Sequence, residues 1–124
     1  MIFIDRSIPR SVAQALQLVR DDVRWLEDEF DHDAPDAVWL AEVGVRGWMV
    51  ITRDKHLRTR PAERRAILDG AVGCFVINQK QPLSRWEYLR LMARTLDDME
   101  ARFVAEDRPF IYLVNRYGGL RKFV

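Results

Sequence analysis

"VITRDKH", residues 50–56, follows Gly47-Trp48-Met49 and carries an apolar run straight into a cluster of charge. The apolar half, closing at Thr52, reads as a buried strand. A short continuous apolar run bounded by turn signals fits a strand covered on both faces. Asp54 then stands just past its end. An acid in that place has two readings: it stabilises the turn that leaves the strand, or it is a carboxylate held at the rim of a sheet. The order of the remaining elements bears on which applies.

Upstream, Met1-Ile2-Phe3-Ile4 fits a buried first strand, with Asp5-Arg6-Ser7-Ile8-Pro9 after it. Pro9 suits the first turn of a helix, and Val12, Leu16 and Val19 give helical spacing through Arg20. Val23 to Leu26 reads as a second strand, and "LEDEFDHDAPD", residues 26–36, as an acidic loop. A second helix is expected from Asp36 to Gly44, where the glycine serves as a stop. The third strand covers 48–52. Downstream, Pro61 starts a helix through Leu68 that Gly70 closes, and Gly73 to Ile77 reads as a fourth strand. Ser84 with Glu87 forms a capping box at the head of a long helix to Ala105. Leu89, Met92, Leu96 and Met99 supply that helix's apolar stripe. Pro109 to Val114 is a fifth strand, and Gly118-Gly119 turns into a short tail. The alternation β-α-β-α-β-α-β-α-β calls for an α/β domain, three layers deep, with a mostly parallel central sheet. All of residues 1–124 fall in it, with no linker or repeat.

The composition, 48% apolar and 31% charged, is that of a globular chain. A formal net charge of +1 excludes a global field that recruits nucleic acid, so any such binding has to come from a local patch. The single cysteine, Cys74, lies in the apolar run of the fourth strand, where it reads as a reduced core residue. Asp5 interrupts the first apolar run before a signal peptide's core could form, and no run approaches the roughly 18 residues of a membrane span. A cytoplasmic protein with no membrane association is the expectation.

In open parallel sheets, ligands bind beyond the carboxyl ends of the strands. Asp5 follows the first strand and Asp54 the third, so both reach that edge. Each also has a bland role, as a cap or a turn residue. Asp36 opens a helix, where the macrodipole alone favours an acid. It nonetheless shares a face with Leu40 and Val43 by i, i+4, i+7 spacing, and that inward direction favours a site. Converging carboxylates repel one another unless a cation offsets them, and an all-oxygen set suits Mg²⁺ or Mn²⁺. His32, His56 and Cys74 lack zinc spacing. A calcium loop begun at Asp31 fails because Asp36 stands where the turn requires glycine.

"FIDRSIP" after the first strand, "DAVWLAEV" opening a helix and "VITRDKHL" after the third strand together resemble the PIN-like nuclease superfamily, and within it the compact VapC-type toxin branch. The resemblance implies a metal-dependent ribonuclease acting as the toxin component of a type II toxin–antitoxin pair. Asp5, Asp36 and Asp54 would be its catalytic, metal-binding acids, with Ser7 and Thr52 as hydroxyl partners. It further implies an RNA substrate and a cognate antitoxin, and it allows a homodimer. Larger PIN domains usually carry a fourth acid or polar residue shortly after the third acid. Here Lys55, His56, Leu57 and Arg58 follow Asp54, and Asp28 and Asp33 read as solvated loop acids. That departure keeps a second reading alive, a non-catalytic PIN-like module that binds RNA or protein. A haloacid-dehalogenase phosphatase would want an acid where Ser7 stands. A response-regulator receiver would want a lysine where Asn115-Arg116 follow the last strand.

Arg53, Lys55, Arg58, Arg60, Arg64 and Arg65 concentrate positive charge beyond Asp54. Singly, each reads as a solvated residue. Together, beside a carboxylate cluster, Arg53, Lys55, Arg58, Arg60 and Arg64 are the candidate RNA-backbone contacts.

Overall fold

The computed structural model describes residues 1–124, which form an α/β domain. In chain order the elements are β1 (Ile2–Ile4), α1 (Arg10–Gln17), β2 (Val23–Trp25), α2 (Leu26–Glu29), α3 (Asp36–Arg46) and β3 (Met49–Thr52). They continue with α4 (His56–Thr59), α5 (Pro61–Asp69), β4 (Gly73–Ile77), α6 (Arg85–Ala105), β5 (Phe110–Val114) and β6 (Leu120–Lys122). One six-stranded sheet runs in the order β2-β1-β3-β4-β5-β6, parallel except for β6.

Alternation along the strands builds two cores. Ile4, Ile51, Phe75 and Tyr112 face α1 and α6, where Val12, Leu16, Met92 and Leu96 meet them. Phe3, Val50, Cys74 and Ile111 face the other way, onto Trp39 and Leu40 of α3 and Ile67 of α5. Both faces being covered, the strands read as continuous apolar runs and not as alternating ones. No helix is long and apolar enough to cross a membrane.

The expected order of strands and major helices holds, with local corrections. The acidic segment is not all loop, because its first residues wind into α2, which carries three acids favoured by the positive end of its own dipole. Helix α1 stops at Gln17, and Val19, expected in its apolar stripe, is 79% exposed beyond it. Leu89 is only partly buried, whereas Trp39, Leu40, Met92 and Leu96 are fully in the core. The capping box at Ser84 and Glu87 forms as the sequence predicts. The tail folds back as β6, pairing antiparallel with β5.

Gly44 does not end α3. The helix runs on to Arg46 and stops at Gly47, whose φ of 69° satisfies the left-handed cap. Gly44 is there for closeness, since a Cβ at that position would stand 2.0 Å from the Gly70 carbonyl oxygen. Helix propensity alone makes Gly44→Ala a gain of about 1 kcal/mol. The backbone clash predicts the opposite sign, a loss of about 1–3 kcal/mol as α3 is pushed off the end of α5. Urea unfolding of the variant decides between them.

Candidate active site

The strand order reverses direction at β1, whose neighbours are β2 on one side and β3 on the other. Helices following these strands leave on opposite faces, which opens a crevice at the carboxyl ends of β1 and β3. Register places Ile4 beside Ile51, and the Asp5 amide continues the ladder by donating to the Ile51 carbonyl at 3.0 Å. Asp5 and Thr52 thereby become neighbours at the crevice floor.

Asp5 is only 4% exposed, so its carboxylate needs strong partners. Its Oδ2 accepts from the hydroxyls of Ser7 and Thr52, each at 2.7 Å, and from the Ser7 amide at 3.4 Å. The two hydroxyls lie 3.2 Å apart and accept in turn from the next backbone amides: Arg53 N–H donates to Ser7 Oγ and Asp54 N–H to Thr52 Oγ1, both at 2.9 Å. One buried carboxylate thus fixes the course of the chain out of β3.

Asp54 answers both readings raised by its position. Its Oδ1 accepts from the His56 amide at 2.9 Å, the bond of a turn leading into α4. Its Oδ2 has no protein partner. Asp36 behaves similarly at the first turn of α3. Oδ1 takes the Trp39 indole N–H at 3.0 Å and lies 3.9 Å from Arg6 Nη2, while Oδ2 is free. Asp36 is therefore half-buried, directed inward as its helical phase predicts. Asp5 repeats the pattern, with Oδ1 unengaged. Burial raises the Asp36 carboxyl above its ordinary value, and the negative charges of Asp5 and Asp54 add to that rise against the Trp39 bond and Arg6. The three acids share one electrostatic neighbourhood. No three acidic, imidazole or thiol side chains, however, are gathered closely enough to hold a metal ion.

A cleft of about 620 Å³ opens over this rim, lined by Ser7, Arg53, Asp54, Lys55, His56 and Arg58, with Asn78, Gln79 and Lys80 along its far wall. Arg53 Nε and Arg58 Nε are buried without a hydrogen-bond partner. Arg60, Arg64 and Arg65 do not line the cleft. Arg64 joins Arg58 over the Phe123 ring, 5.6 and 5.3 Å from its centroid, and Arg65 lies 3.7 Å from Asp69. Asp28, expected in a loop, lies in α2 and pairs with Arg10 at 2.8 Å, and Asp33 is exposed, so both are surface acids. Burial pushes the Cys74 thiol up, leaving it an inert core group.

The sequence pattern did not single out Arg6 or the Asn78-Gln79-Lys80 wall. Arg6 donates to the His32 and Ala34 carbonyls, which straps the acidic segment beside Asp36. That role had no signal beyond adjacency to Asp5. The wall was legible only as the residues after a parallel strand.

Asp36→Asn retains an acceptor for the Trp39 indole and removes the charge. A carboxyl raised in the folded state makes the ionised form destabilising, so the contribution of Asp36 to wild-type stability falls as pH rises above the ordinary aspartate value of 3.8. In chelator at neutral pH the variant is expected to be the more stable protein. Its advantage disappears as pH falls below 3.8, which denaturant unfolding across that range measures.

Comparison with known proteins points the same way. A relative from Mycobacterium tuberculosis (strain ATCC 25618 / H37Rv) named "Putative ribonuclease VapC45" is 29% identical over 121 residues, covering 92% of this chain and 85% of that protein. No solved structure matches the chain. The family model described as "PIN like domain" matches residues 1–79, which take in β1 to β4 together with Asp5, Asp36 and Asp54. The match covers well over half the sequence, and with its mostly parallel sheet between helical layers the chain belongs to the PIN-like domain family.

Proposed function

We propose that this protein is a Mg²⁺- or Mn²⁺-dependent endoribonuclease, the toxin component of a type II toxin–antitoxin pair acting in the cytoplasm. One observation carries the reading. Asp5, Asp36 and Asp54 each commit one carboxylate oxygen to the protein and leave the other free, and Asp54 lines a cleft together with Arg53, Lys55, Arg58 and Lys80. The relative's name, a ribonuclease of the VapC series, supports the substrate class and the antitoxin partner.

By type the donors suit a hard divalent ion, being carboxylate oxygens free of protein partners with no thiolate or imidazole among them, but the three side chains are not gathered closely enough to hold one without moving together. Asp5 and Asp54 would be direct ligands, with Asp36 a ligand or the group that orients water. When bound, such an ion stabilises charge on a phosphodiester and acidifies water. The chain's own residues do the rest. Ser7 and Thr52 hold Asp5 in one rotamer by donating to it. Arg53, Lys55 and Arg58 face the cleft and hold the phosphate backbone against the acids. Arg6, close to Asp36, offsets part of the negative charge when the ion is absent.

Asp54→Asn tests the assignment, since it keeps the Oδ1 acceptor for His56 and removes one charge. It is expected to abolish Mn²⁺-dependent RNA cleavage and to leave the chelated protein as stable as wild type. Wild type gains thermal stability with added Mn²⁺ by mass action, and the variant gains far less. Full activity and an undiminished metal response in the variant would make Asp54 a turn residue. Stable RNA binding without cleavage by wild type would favour the second reading, a non-catalytic RNA-binding module.

A companion measurement addresses the cleft. Lys55 and Lys80 are exposed on its walls. The double change K55E/K80E is expected to weaken RNA binding at least tenfold and flatten its salt dependence, with an unaltered melting temperature.

A further inference from the structure

The ion pairs sort the basic residues by place. Arg10, Arg20, Arg24, Arg46 and Lys122 all have carboxylate partners, and none of these residues lines the cleft over the acids. Two groups of cations lie where the parallel strands end, most of them without a carboxylate partner. One group, Arg53, Lys55, Arg58 and Lys80, is the cleft already described. A second lies outside it. Arg90 and Arg94 on α6 and Arg116 in the β5–β6 turn line a separate cleft of about 410 Å³, with the Tyr117 ring beside them.

Its one acid is Glu87, and that carboxylate is engaged twice. Oε1 accepts from the Ser84 amide in the helix cap at 3.0 Å, and Oε2 lies 3.6 Å from Arg116. Arg90 and Arg94 have no carboxylate partner. The opposite wall is rigid. Asn115 Oδ1 accepts from the Tyr117 and Gly119 amides at 2.8 and 3.0 Å, closing the turn. Gly118, at φ 89°, lies so close to α6 that a Cβ would meet Thr95 Cγ2 at 2.5 Å. Arg116 and Tyr117 are thus presented by a turn pressed onto the helix that carries Arg90 and Arg94.

The two clefts lie at the same edge of the sheet, where β3, β4 and β5 end. Asn78 lines the first and also a smaller recess of about 250 Å³, which continues past Asn115, Gly119 and Arg121 to the same turn. Arginines spaced along this edge, Arg90 and Arg94 without a carboxylate partner, with an exposed aromatic ring among them, match the chemistry of a flexible polyanion carrying stackable bases. A protein partner would need an acidic segment and gains nothing particular from the ring.

We propose that the Arg90–Arg94–Arg116 cleft is a second RNA-backbone site, extending the substrate path from the catalytic rim along the ends of β4 and β5. This rests on the ribonuclease reading of the first cleft. An RNA segment lies over the acids, the continuing strand crosses the Asn78 recess, and its phosphates settle between the three arginines with a base against Tyr117. Affinity therefore grows with RNA length beyond what the first cleft can hold.

The test compares binding of the full chain, in chelator, to oligouridylates of about 4 and about 20 nucleotides, lengths that bracket the reach of one small nucleic-acid site. R90E/R94E is expected to lower affinity for the longer RNA at least tenfold and to reduce its salt slope by about 1.4, near 0.7 per lost phosphate contact. The short RNA keeps its affinity. Both arginines are exposed on α6, and R90Q/R94Q, which removes charge without reversing it, gives the same pattern more weakly should the reversal disturb the helix. Unchanged affinity for the long RNA, or equal losses at both lengths, would overturn the second site, the former leaving the cleft a solvated face or a protein contact. In those cases K55E/K80E still weakens both RNAs if the first cleft is real. Failure of wild type to bind either RNA would remove the ribonuclease reading and this extension together.

Discussion

A carboxylate with almost no access to water organises this protein. Asp5 sits at the end of the first strand, 4% exposed, and its charge is tolerable only because two hydroxyls and an amide point at it. Those hydroxyls are shared. Ser7 and Thr52 also receive the amides of Arg53 and Asp54, so the solvation of one charge and the direction of the β3 exit are a single hydrogen-bond network. Removing either hydroxyl leaves both a buried charge and a backbone donor short of a partner, a coupled loss of the kind that makes such networks all-or-none. The two cores below set the strands side by side, and this network turns that registration into an oriented site.

Much of the architecture was legible because the strands are buried on both faces. Runs such as Gly73–Ile77 and Pro109–Val114 contain no polar interruption, and helices of strong periodicity lie between them. What escaped were features decided by tertiary closeness. Gly44 carries the signature of a helix stop, yet it is a small residue inside a helix because another backbone passes over it. The last strand is three residues long, with a charged pattern that reads as a tail until β5 offers it an edge. The acids themselves were visible as residues that follow strands or open a helix. Their partners were less so: Ser7 and Thr52 entered through family likeness, while the strap made by Arg6 depends on carbonyls 26 and 28 residues away.

Net charge conceals how this surface is built. A total of +1 suggests indifference to polyanions, but the total averages two populations. Away from the clefts, Arg20, Arg24, Arg46 and Arg102 are paired with acids at ion-pair distance, Arg20 between Asp22 and Glu100 being the tightest case. Beyond β3 and β4, Arg53, Lys55, Arg58 and Lys80 are left without a carboxylate partner, where a field is focused by the low-dielectric walls of the cleft. Such sorting gives a nearly neutral protein a directional field.

The indole of Trp39 has a consequence of its own. It is fully buried, and its N–H points at the same carboxylate oxygen that Arg6 approaches. An excited indole shifts charge across its ring, so its emission colour depends on the field along that N–H axis. Anything that changes the charge on Asp36, whether a proton or a cation captured by the free oxygen, alters that field at hydrogen-bond range. Three other tryptophans contribute background, and none of them donates its indole N–H to a carboxylate. The fold thus carries a built-in optical gauge of the electrostatic state of its own acidic crevice.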